Sequence, residues 1–157
     1  MPVRFVLVKR AFVVVALVGA VTGSAARAAH AAPLPGVKTP TRNISCFYVP
    51  IKPTTHGNLL CDVKTSAYSR AQQNRCQART GLDWHGFELS DRGKAQPVCT
   101  GGVLYDIGRD TPRFVVLAYG RTWRSHGFTC RSRVTGLTCT NGHAHGLFLS
   151  RASYRLY

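Results

Sequence analysis

The sequence predicts a mainly antiparallel all-β domain, a small disulfide-stapled sandwich or barrel with one short helix. Short runs rich in β-branched and aromatic residues alternate with clusters of Gly, Pro, Asn and Asp, a pattern typical of strands joined by turns. The chain has six cysteines, an even number. No stretch longer than about ten residues has the apolar periodicity of a well-formed amphipathic helix. Together these three observations favour two packed layers of sheet, or one sheet closed on itself.

The first 31 residues are typical of a secretory signal peptide. Arg4, Lys9 and Arg10 precede the apolar stretch "AFVVVALVGAVTG", and small residues then surround an Ala-x-Ala cleavage motif. We expect cleavage after Ala31, with a cut after Ala28 as the alternative. The apolar stretch is shorter than the roughly 20 residues that a transmembrane helix needs, so no membrane span is expected. The mature protein is therefore predicted to be secreted into an extracytoplasmic space, where cysteines form disulfides.

The part of the chain after the signal peptide has the length of one domain. Residues 32–43 are rich in Pro and are expected to form a flexible lead-in. No linker divides the remainder, so residues 44–157 are predicted to fold as a single disulfide-stabilised β domain. Residues 65–78, "TSAYSRAQQNRCQA", are the predicted helix, and Ser150 is placed to cap a last helical turn near the C-terminus.

The predicted strands follow one another along this domain. Each is a short run of residues that favour a pleated, half-buried surface, and turn-forming residues bound it. In chain order the strand candidates are "ISCFYV", "LLCDV", "GFEL", "PVCTG", "VLYD", "RFVVLAYG", "GFTCRS", "GLTCT" and "GLFLS".

The pair Cys130 and Cys139 is interpreted as the staple of a β-hairpin. The eight residues between them, "RSRVTGLT", suit a four-residue loop over residues 133–136, with Gly136 in a left-handed conformation. Counting back from that loop places Cys130 directly opposite Cys139. Residues that face each other in an antiparallel pair are close enough at Cα for a disulfide.

The other four cysteines are paired by the same reasoning. "ISCFYVPIKPTTHGNLLCDV" has a strand, a turn rich in Pro and Gly and a returning strand, which predicts a bridge from Cys46 to Cys61. Cys76 and Cys99 remain, and they enclose a turn signal, "SDRGKA". Six cysteines allow many pairings, so this set is the best-ranked one and not a unique solution. Each bridge is worth about 2–4 kcal/mol of stability.

Positive charge is concentrated toward the C-terminus. Beyond residue 31 the chain has 17 Lys and Arg against six Asp and Glu, about +11 in net charge. Residues 111–157 contain seven arginines and no acidic residue. Strand alternation in the predicted hairpin places Arg131 and Arg133 on one side, with Thr138 across from Arg131. The predicted binding residues are Arg121, Arg124, Arg131 and Arg133.

Rigidly held arginines can grip phosphate or carboxylate groups through paired hydrogen bonds. The candidate partners of a secreted protein with such residues are an anionic envelope polymer or a partner protein, whereas intracellular nucleic acid is not expected. The charge has a second interpretation, as a feature that aids solubility, because aromatic residues do not alternate with the arginines in the sequence.

Signs of catalysis are weak, so a non-enzymatic binding or structural role is predicted. Neither a C-x-x-C redox pair nor a glycine-rich phosphate loop is present. The alternative is a small hydrolase or zinc enzyme that uses His126, His143 and His145, or Asp83 and His85. On a strand, His143 and His145 would share a face, as would Asp83 and His85, with Glu88 opposite. We expect no cofactor and no metal ion, because no acidic residue is available to orient a histidine ligand in that third of the chain.

The C-terminal stretch "YGRTWRSHGFTCRSRVTGLTCTNGHAHGLFLSRASYRLY" has closely spaced Gly, Cys, His and aromatic motifs. With these motifs it resembles a family of short secreted proteins of unknown function from high-GC Gram-positive bacteria. Its shared pattern is Tyr-Gly, Gly-Phe-x-Cys, Gly-x-x-Cys-x-Asn and His-Gly-Phe-x-Leu-Ser-Arg with a final Tyr. The matching residues here are Tyr119, Gly120, Gly127, Phe128, Cys130, Gly136, Cys139, Asn141, His145, Gly146, Leu149, Ser150, Arg151 and Tyr154, with Leu147 in place of the Phe. Upstream cysteine motifs extend the resemblance to about residues 42–157. It implies a secreted, cysteine-paired module and transfers no catalytic residue.

Overall fold

The computed structural model describes residues 34–102 and 112–157. In this part of the chain, two mainly antiparallel sheets and one helix make up the fold. The signal peptide predicted over residues 1–31 and the strand predicted at "VLYD", residues 103–106, lie outside the described residues.

The first sheet has six strands in the spatial order β5-β4-β3-β2-β1-β6. Neighbours are antiparallel except β1 and β6, which run parallel, with Val37 opposite Val115. The strands are β1 (Pro35–Lys38), β2 (Ile44–Pro50), β3 (Gly57–Val63), β4 (Asp83–Ser90), β5 (Ala95–Thr100) and β6 (Arg113–Val116).

The second sheet has five strands, and every neighbouring pair in it is antiparallel. Its spatial order, β11-β10-β9-β8-β7, is the reverse of the chain order, so that each strand pairs with the next one along the sequence. The strands are β7 (Thr122–Ser125), β8 (Phe128–Arg133), β9 (Gly136–Thr140), β10 (Gly146–Leu149) and β11 (Tyr154–Leu156).

The two sheets share one hydrophobic core. Alternate residues of β3 are buried, because successive side chains of a strand point to opposite faces. Side chains from both sheets form this core, among them Leu59, Phe87, Leu89, Phe128, Leu137, Leu147 and Leu149, all 0 or 1 % exposed. The predicted all-β, mainly antiparallel class is confirmed, with two packed sheets.

All three predicted disulfides are present: Cys46–Cys61, Cys76–Cys99 and Cys130–Cys139. The first and third each link directly opposite residues of a hairpin, with Cα atoms 4.1 and 4.0 Å apart. Both bridges lie in the core, where the sulfur atoms of Cys46, Cys61 and Cys139 are within 4.8 Å of one another. The hairpin staples of the two sheets therefore meet inside the sandwich.

The predicted helix is confirmed as α1 (Ser69–Thr80), which begins four residues later than expected. Buried Cys76 anchors the helix to β5 through its bridge to Cys99. The helix ends at Gly81, which adopts a left-handed conformation and donates its N–H to the Gln77 carbonyl. The disulfide thus attaches the helix to the sheet, although the helix lacks a clear apolar stripe of its own.

The prediction of a flexible lead-in over residues 32–43 is wrong at residues 35–38. Residues 35–38 form β1, which pairs with β2 on one side and β6 on the other. Val37 is fully buried, and Leu34 is 8 % exposed. The Pro-rich composition suggested disorder, but Pro35 is the first residue of the strand, a position where a missing N–H is tolerated.

Two local predictions near the C-terminus also need correction. The loop between β8 and β9 has two residues, Val134 and Thr135, because Arg133 and Gly136 still pair across the hairpin. Ser150 does not cap a helical turn. Its hydroxyl accepts a hydrogen bond from Ser153 N at 2.9 Å, and the turn that they form leads into β11.

A β-bulge changes which side chains of β4 share a face. The register with β5 shifts between Trp84 and Phe87, where Gly86 has a φ of 105°. One extra residue at the bulge reverses the alternation beyond it, so Trp84 and Phe87 both pack into the core, with ring centroids 5.5 Å apart. For the same reason Glu88 lies on the side of Asp83, and its predicted position on the opposite face is wrong.

Candidate functional site

The outer face of the five-stranded sheet carries a continuous row of polar, cationic and aromatic residues. The strand registers place one residue of each strand side by side, from β7 to β11. Neighbouring strands are about 4.8 Å apart, so the row is about 19 Å long. In spatial order it contains Thr122, Arg131, Thr138, Phe148 and Arg155.

A second row runs beside the first on the same face. In this row Arg124 lies opposite Thr129, Thr129 opposite Thr140, and Thr140 opposite Gly146. The N–H and C=O of Gly146 both bond the main chain of Tyr157. A Cβ at Gly146 would lie 2.9 Å from the Tyr157 ring, so the missing side chain leaves room for that ring over the sheet. The face thus combines guanidinium groups, threonine hydroxyls and two aromatic rings.

No acidic residue of the described part of the chain forms an ion pair with the arginines of this outer face. Within residues 34–102 and 112–157, the one ion pair is between His56 and Asp91, which lie elsewhere. Arg131, Arg133 and Arg124 are exposed, and Arg155 lies over the Phe148 ring at 5.7 Å from its centroid. No acidic residue occurs from residue 111 onward, so the cations of this face have no acidic neighbour within their own sheet.

The structure brings together three of the four predicted binding residues. Arg124 and Arg131 occupy adjacent rows, and Arg133 follows two residues after Arg131 on the same side of β8. Arg121 is exposed in the turn before β7 and lies outside the regular alternation of the outer face. The predicted register opposite Arg131 is confirmed, since Thr138 is its partner.

Sequence reasoning missed the aromatic part of this face. Phe148 and Tyr157 are separated from the arginines along the chain, so the local pattern did not show the two residue types side by side. The alternation of "GLFL", with Leu147 and Leu149 fully buried, is the signal that could have placed Phe148 outward. Placing Arg155 and Tyr157 required the register of β11.

The three histidines of the predicted zinc alternative do not form a metal site. His126 is in the two-residue turn between β7 and β8, and its ring stacks on Tyr48 with centroids 3.9 Å apart. His143 and His145 are in a turn, not on a strand, and their backbone N–H groups donate to the side-chain oxygen Oδ1 of Asn141. Among the described residues, the only group of three potential ligand atoms is formed by Cys46, Cys61 and Cys139, all disulfide-bonded.

The second catalytic alternative, Asp83 with His85, is also not supported by the contacts. The Asp83 carboxylate accepts hydrogen bonds from Gln73 and Gln77 of α1, at 2.6 and 2.9 Å. The bond from Gln77, followed by that from Gln73, holds the pKa of Asp83 below its usual value. This side chain therefore fixes the helix to the start of β4 as a carboxylate.

A histidine–carboxylate pair that the sequence did not reveal joins two turns at one end of the sandwich. His56 Nδ1 and Asp91 Oδ2 are 2.6 Å apart, although the residues are 35 positions apart in the chain. Partial desolvation acts to raise the pKa of Asp91, but the hydrogen bond and charge of His56 outweigh it and lower the pKa. The side chain of Asn141 ties a third turn to this end by donating to Ser90 O at 2.8 Å and Gly93 O at 3.0 Å.

Acid should remove the contribution of Asp91 to stability. Above its ordinary pKa of 3.8 the carboxylate is charged in both folded and unfolded chains, so the His56 interaction is fully present. As pH falls through the lower pKa of the folded state, Asp91 becomes protonated and the contribution, at most about 1 kcal/mol, is lost. Urea denaturation between about pH 5 and pH 2 should show a smaller loss of stability for Asp91→Asn than for the wild type. Parallel pH curves for the two proteins would contradict this.

Comparison with known proteins identifies the family of this chain. Among the described residues, the structure contains no helix that is both long and apolar enough to cross a membrane. No curated protein and no solved structure matches the chain. The sequence profile of DUF6636, a family of unknown function, matches residues 37–157, a range that begins within β1 and includes every later strand and all three disulfides. The chain therefore belongs to this family of unknown function, DUF6636.

Proposed function

We propose that this protein is a secreted, non-enzymatic binding module that holds an anionic polymer on the outer face of its five-stranded sheet. The observation that carries the proposal is the row from Thr122 to Arg155, in which cations, hydroxyl groups and an aromatic ring are presented without any carboxylate. Three disulfides agree with an oxidising, extracytoplasmic location.

The shape of the face favours an extended ligand. A sheet surface about 19 Å wide is longer than a single phosphate or carboxylate group, and a polymer that crosses it can contact several arginines at once. Arginines hold oxyanions through paired hydrogen bonds, and threonine hydroxyls supply further donors. The apolar faces of Phe148 and Tyr157 can pack against the uncharged part of each repeating unit.

An enzymatic function has less support from the contacts. His56 and Asp91 are the one histidine–carboxylate ion pair in the described part of the chain. A general base must lie within hydrogen-bonding reach of a nucleophile or of substrate. No hydroxyl or thiol side chain of the described residues is hydrogen-bonded to the His56 ring, so the pair is better explained as a link between two turns.

Salt dependence of binding tests the proposal. Immobilised inorganic polyphosphate serves as the probe, and affinity is measured across a range of salt concentrations. Each phosphate that an arginine neutralises releases counterions, so the double variant Arg124→Gln/Arg131→Gln should bind about tenfold weaker or worse and should lose about two units of log–log salt slope. A folded double variant that binds as the wild type does would overturn the proposal.

The matched control changes the same net charge elsewhere. Arg70 and Arg79 are exposed on α1, and their side chains have no hydrogen bond or ion pair to the described residues. Arg75 is unsuitable as a control because its side chain bonds the Tyr154 hydroxyl. Arg70→Gln/Arg79→Gln should reduce affinity much less than the outer-face variant. Equal losses for the two variants would mean that only net charge attracts the polymer.

A further inference from the structure

A pocket of about 340 Å³ opens at the end of the sandwich where the hairpin between β8 and β9 turns. Four parts of the chain build it: the turn between β1 and β2, the segment before β7, the β8–β9 turn and the segment after β10. Its volume is in the range of pockets that hold small ligands. The lining residues are Thr39, Thr41, Asn43, Ile44, Tyr119, Arg133, Val134, Thr135, Gly136, Ser150 and Arg151.

Hydrogen bonds within the protein constrain part of the pocket wall. The hydroxyl of Thr39 bonds both the N–H and the C=O of Ile44, at 3.2 and 3.3 Å. The Asn43 side chain bonds the backbone of Thr65 in both directions, at 3.1 Å each. The Ser150 hydroxyl closes the turn with Ser153. These hydrogen bonds constrain the β1–β2 turn and the segment after β10, two of the parts that line the pocket.

Two guanidinium groups of the pocket, by contrast, have no partner among the described residues. Arg133 comes from the β8–β9 hairpin and Arg151 from the segment after β10, and both side chains are exposed. No described Asp or Glu lines the pocket. The Tyr119 hydroxyl is likewise without a hydrogen bond to the described residues. Two cations and a phenol therefore face one concave space whose own residues offer no opposing charge.

We propose that this pocket binds a phosphomonoester together with the sugar or polyol unit that carries it. The proposal rests on the proposed function, since it makes this ligand the terminal unit of the polymer on the outer face. Arg133 connects the two sites: it lines the pocket and lies two residues, about 6.6 Å, from Arg131 of the row. A polymer lying on the outer face can therefore place its end in the pocket.

The number of cations favours a monoester over an internal phosphodiester. A phosphomonoester carries about 1.5 to 2 negative charges at neutral pH and three free oxygens, which match two guanidinium groups. An internal diester carries one charge and two free oxygens, so it would leave one of the two arginines without a full partner. Val134 and Tyr119 provide apolar surface for the attached carbon skeleton.

The test compares two small probes on the full mature chain. Glycerol 3-phosphate is a monoester, and glycerophosphoglycerol is the corresponding diester. Titration followed by NMR should show that the monoester binds at least about tenfold more tightly than the diester and perturbs residues of the pocket. Arg151→Gln should weaken monoester binding by at least about tenfold, because one of two bidentate partners is lost. Arg79→Gln, in the last turn of α1 and outside the pocket lining, should leave it unchanged.

Failure of this proposal can be told apart from failure of the proposed function. Arg151→Gln leaves the main-chain bond from Ala67 to Arg151 O in place, so the variant is expected to fold. Equal binding of monoester and diester, or no effect of Arg151→Gln, would overturn the pocket proposal whatever the polyphosphate result. The reverse outcome concerns the double variant Arg124→Gln/Arg131→Gln. If it binds both the monoester and polyphosphate as tightly as the wild type does, the pocket proposal is supported and the polymer-binding face is overturned.

Discussion

Phe87→Ala is expected to lower the free energy of unfolding by about 3–5 kcal/mol, because it removes a large, fully buried ring and leaves a cavity. The ring lies among Tyr68, Trp84 and Tyr154, with centroids 6.1, 5.5 and 4.8 Å away. These neighbours belong to the start of the helical segment, to β4 and to β11. The substitution therefore weakens contacts that join both sheets and the region of α1. Urea denaturation with tryptophan fluorescence measures the effect.

Phe148→Ala is the matched control for this prediction. The residue type is the same, but Phe148 is half-buried on the outer face and packs against no core cluster residue from the other sheet. Loss of the Phe148 ring should lower the free energy of unfolding by well below about 3 kcal/mol, since less apolar area returns to water. If both substitutions destabilise the protein equally, the aromatic cluster around Phe87 does not have the role assigned to it.

Gly86→Ala is expected to destabilise the protein by about 2–5 kcal/mol. The positive φ of 105° costs an alanine about 1–2 kcal/mol, and overpacking adds about 1–3 kcal/mol. A Cβ at this position would lie 2.1 Å from Cys61 O and 3.2 Å from Asp62 Cα, both main-chain atoms of β3. The clash can be relieved only if β4 moves away from β3, beside a disulfide.

Gly120→Ala separates the two causes. Gly120 has a φ of 80°, but a Cβ there would have no neighbour within 4 Å. This variant should therefore show the conformational cost alone, about 1–2 kcal/mol. Thermal or urea denaturation of both variants should show a clearly larger loss for Gly86→Ala. Equal losses would mean that the contact between the bulge and β3 is not tight.

Features that depend on neighbouring residues in the sequence were predicted well. The bridge from Cys130 to Cys139 and the register of its hairpin follow from counting back from one turn, and both are confirmed. The helix near Cys76 is likewise confirmed. Short loops fix strand registers locally, so little information from the rest of the fold is needed.

Features that depend on distant pairing were not predicted. β1, β7 and β11 have only four, four and three residues, and each is stabilised by strands already in place beside it. The bulge at Gly86 is also set by β5 and β3, since a glycine alone does not specify its register. Tertiary contacts outweigh local preference in all of these segments.

The same difference between local and distant features holds for the residues of the outer face and the pocket. Arg131 and Arg133 were placed correctly because both lie on one hairpin. The contribution of Phe148 and Tyr157 appears only when five strands are set side by side, and the pocket appears only when Arg151 meets the first turn of the chain. Sites assembled from separate segments leave no contiguous motif in the sequence.

Because the two hairpin bridges pack closely, a thiol released from one of them would lie beside the sulfur atoms of the other. A thiolate attacks a disulfide through a mixed intermediate, and the rate depends on access to the sulfur. Replacing Cys46 alone would leave the Cys61 thiol beside the bridge that contains Cys139, with the sulfur atoms within 4.8 Å. Single cysteine variants can therefore rearrange, whereas replacing both members of a pair removes one bridge and leaves no thiol behind to disturb the other.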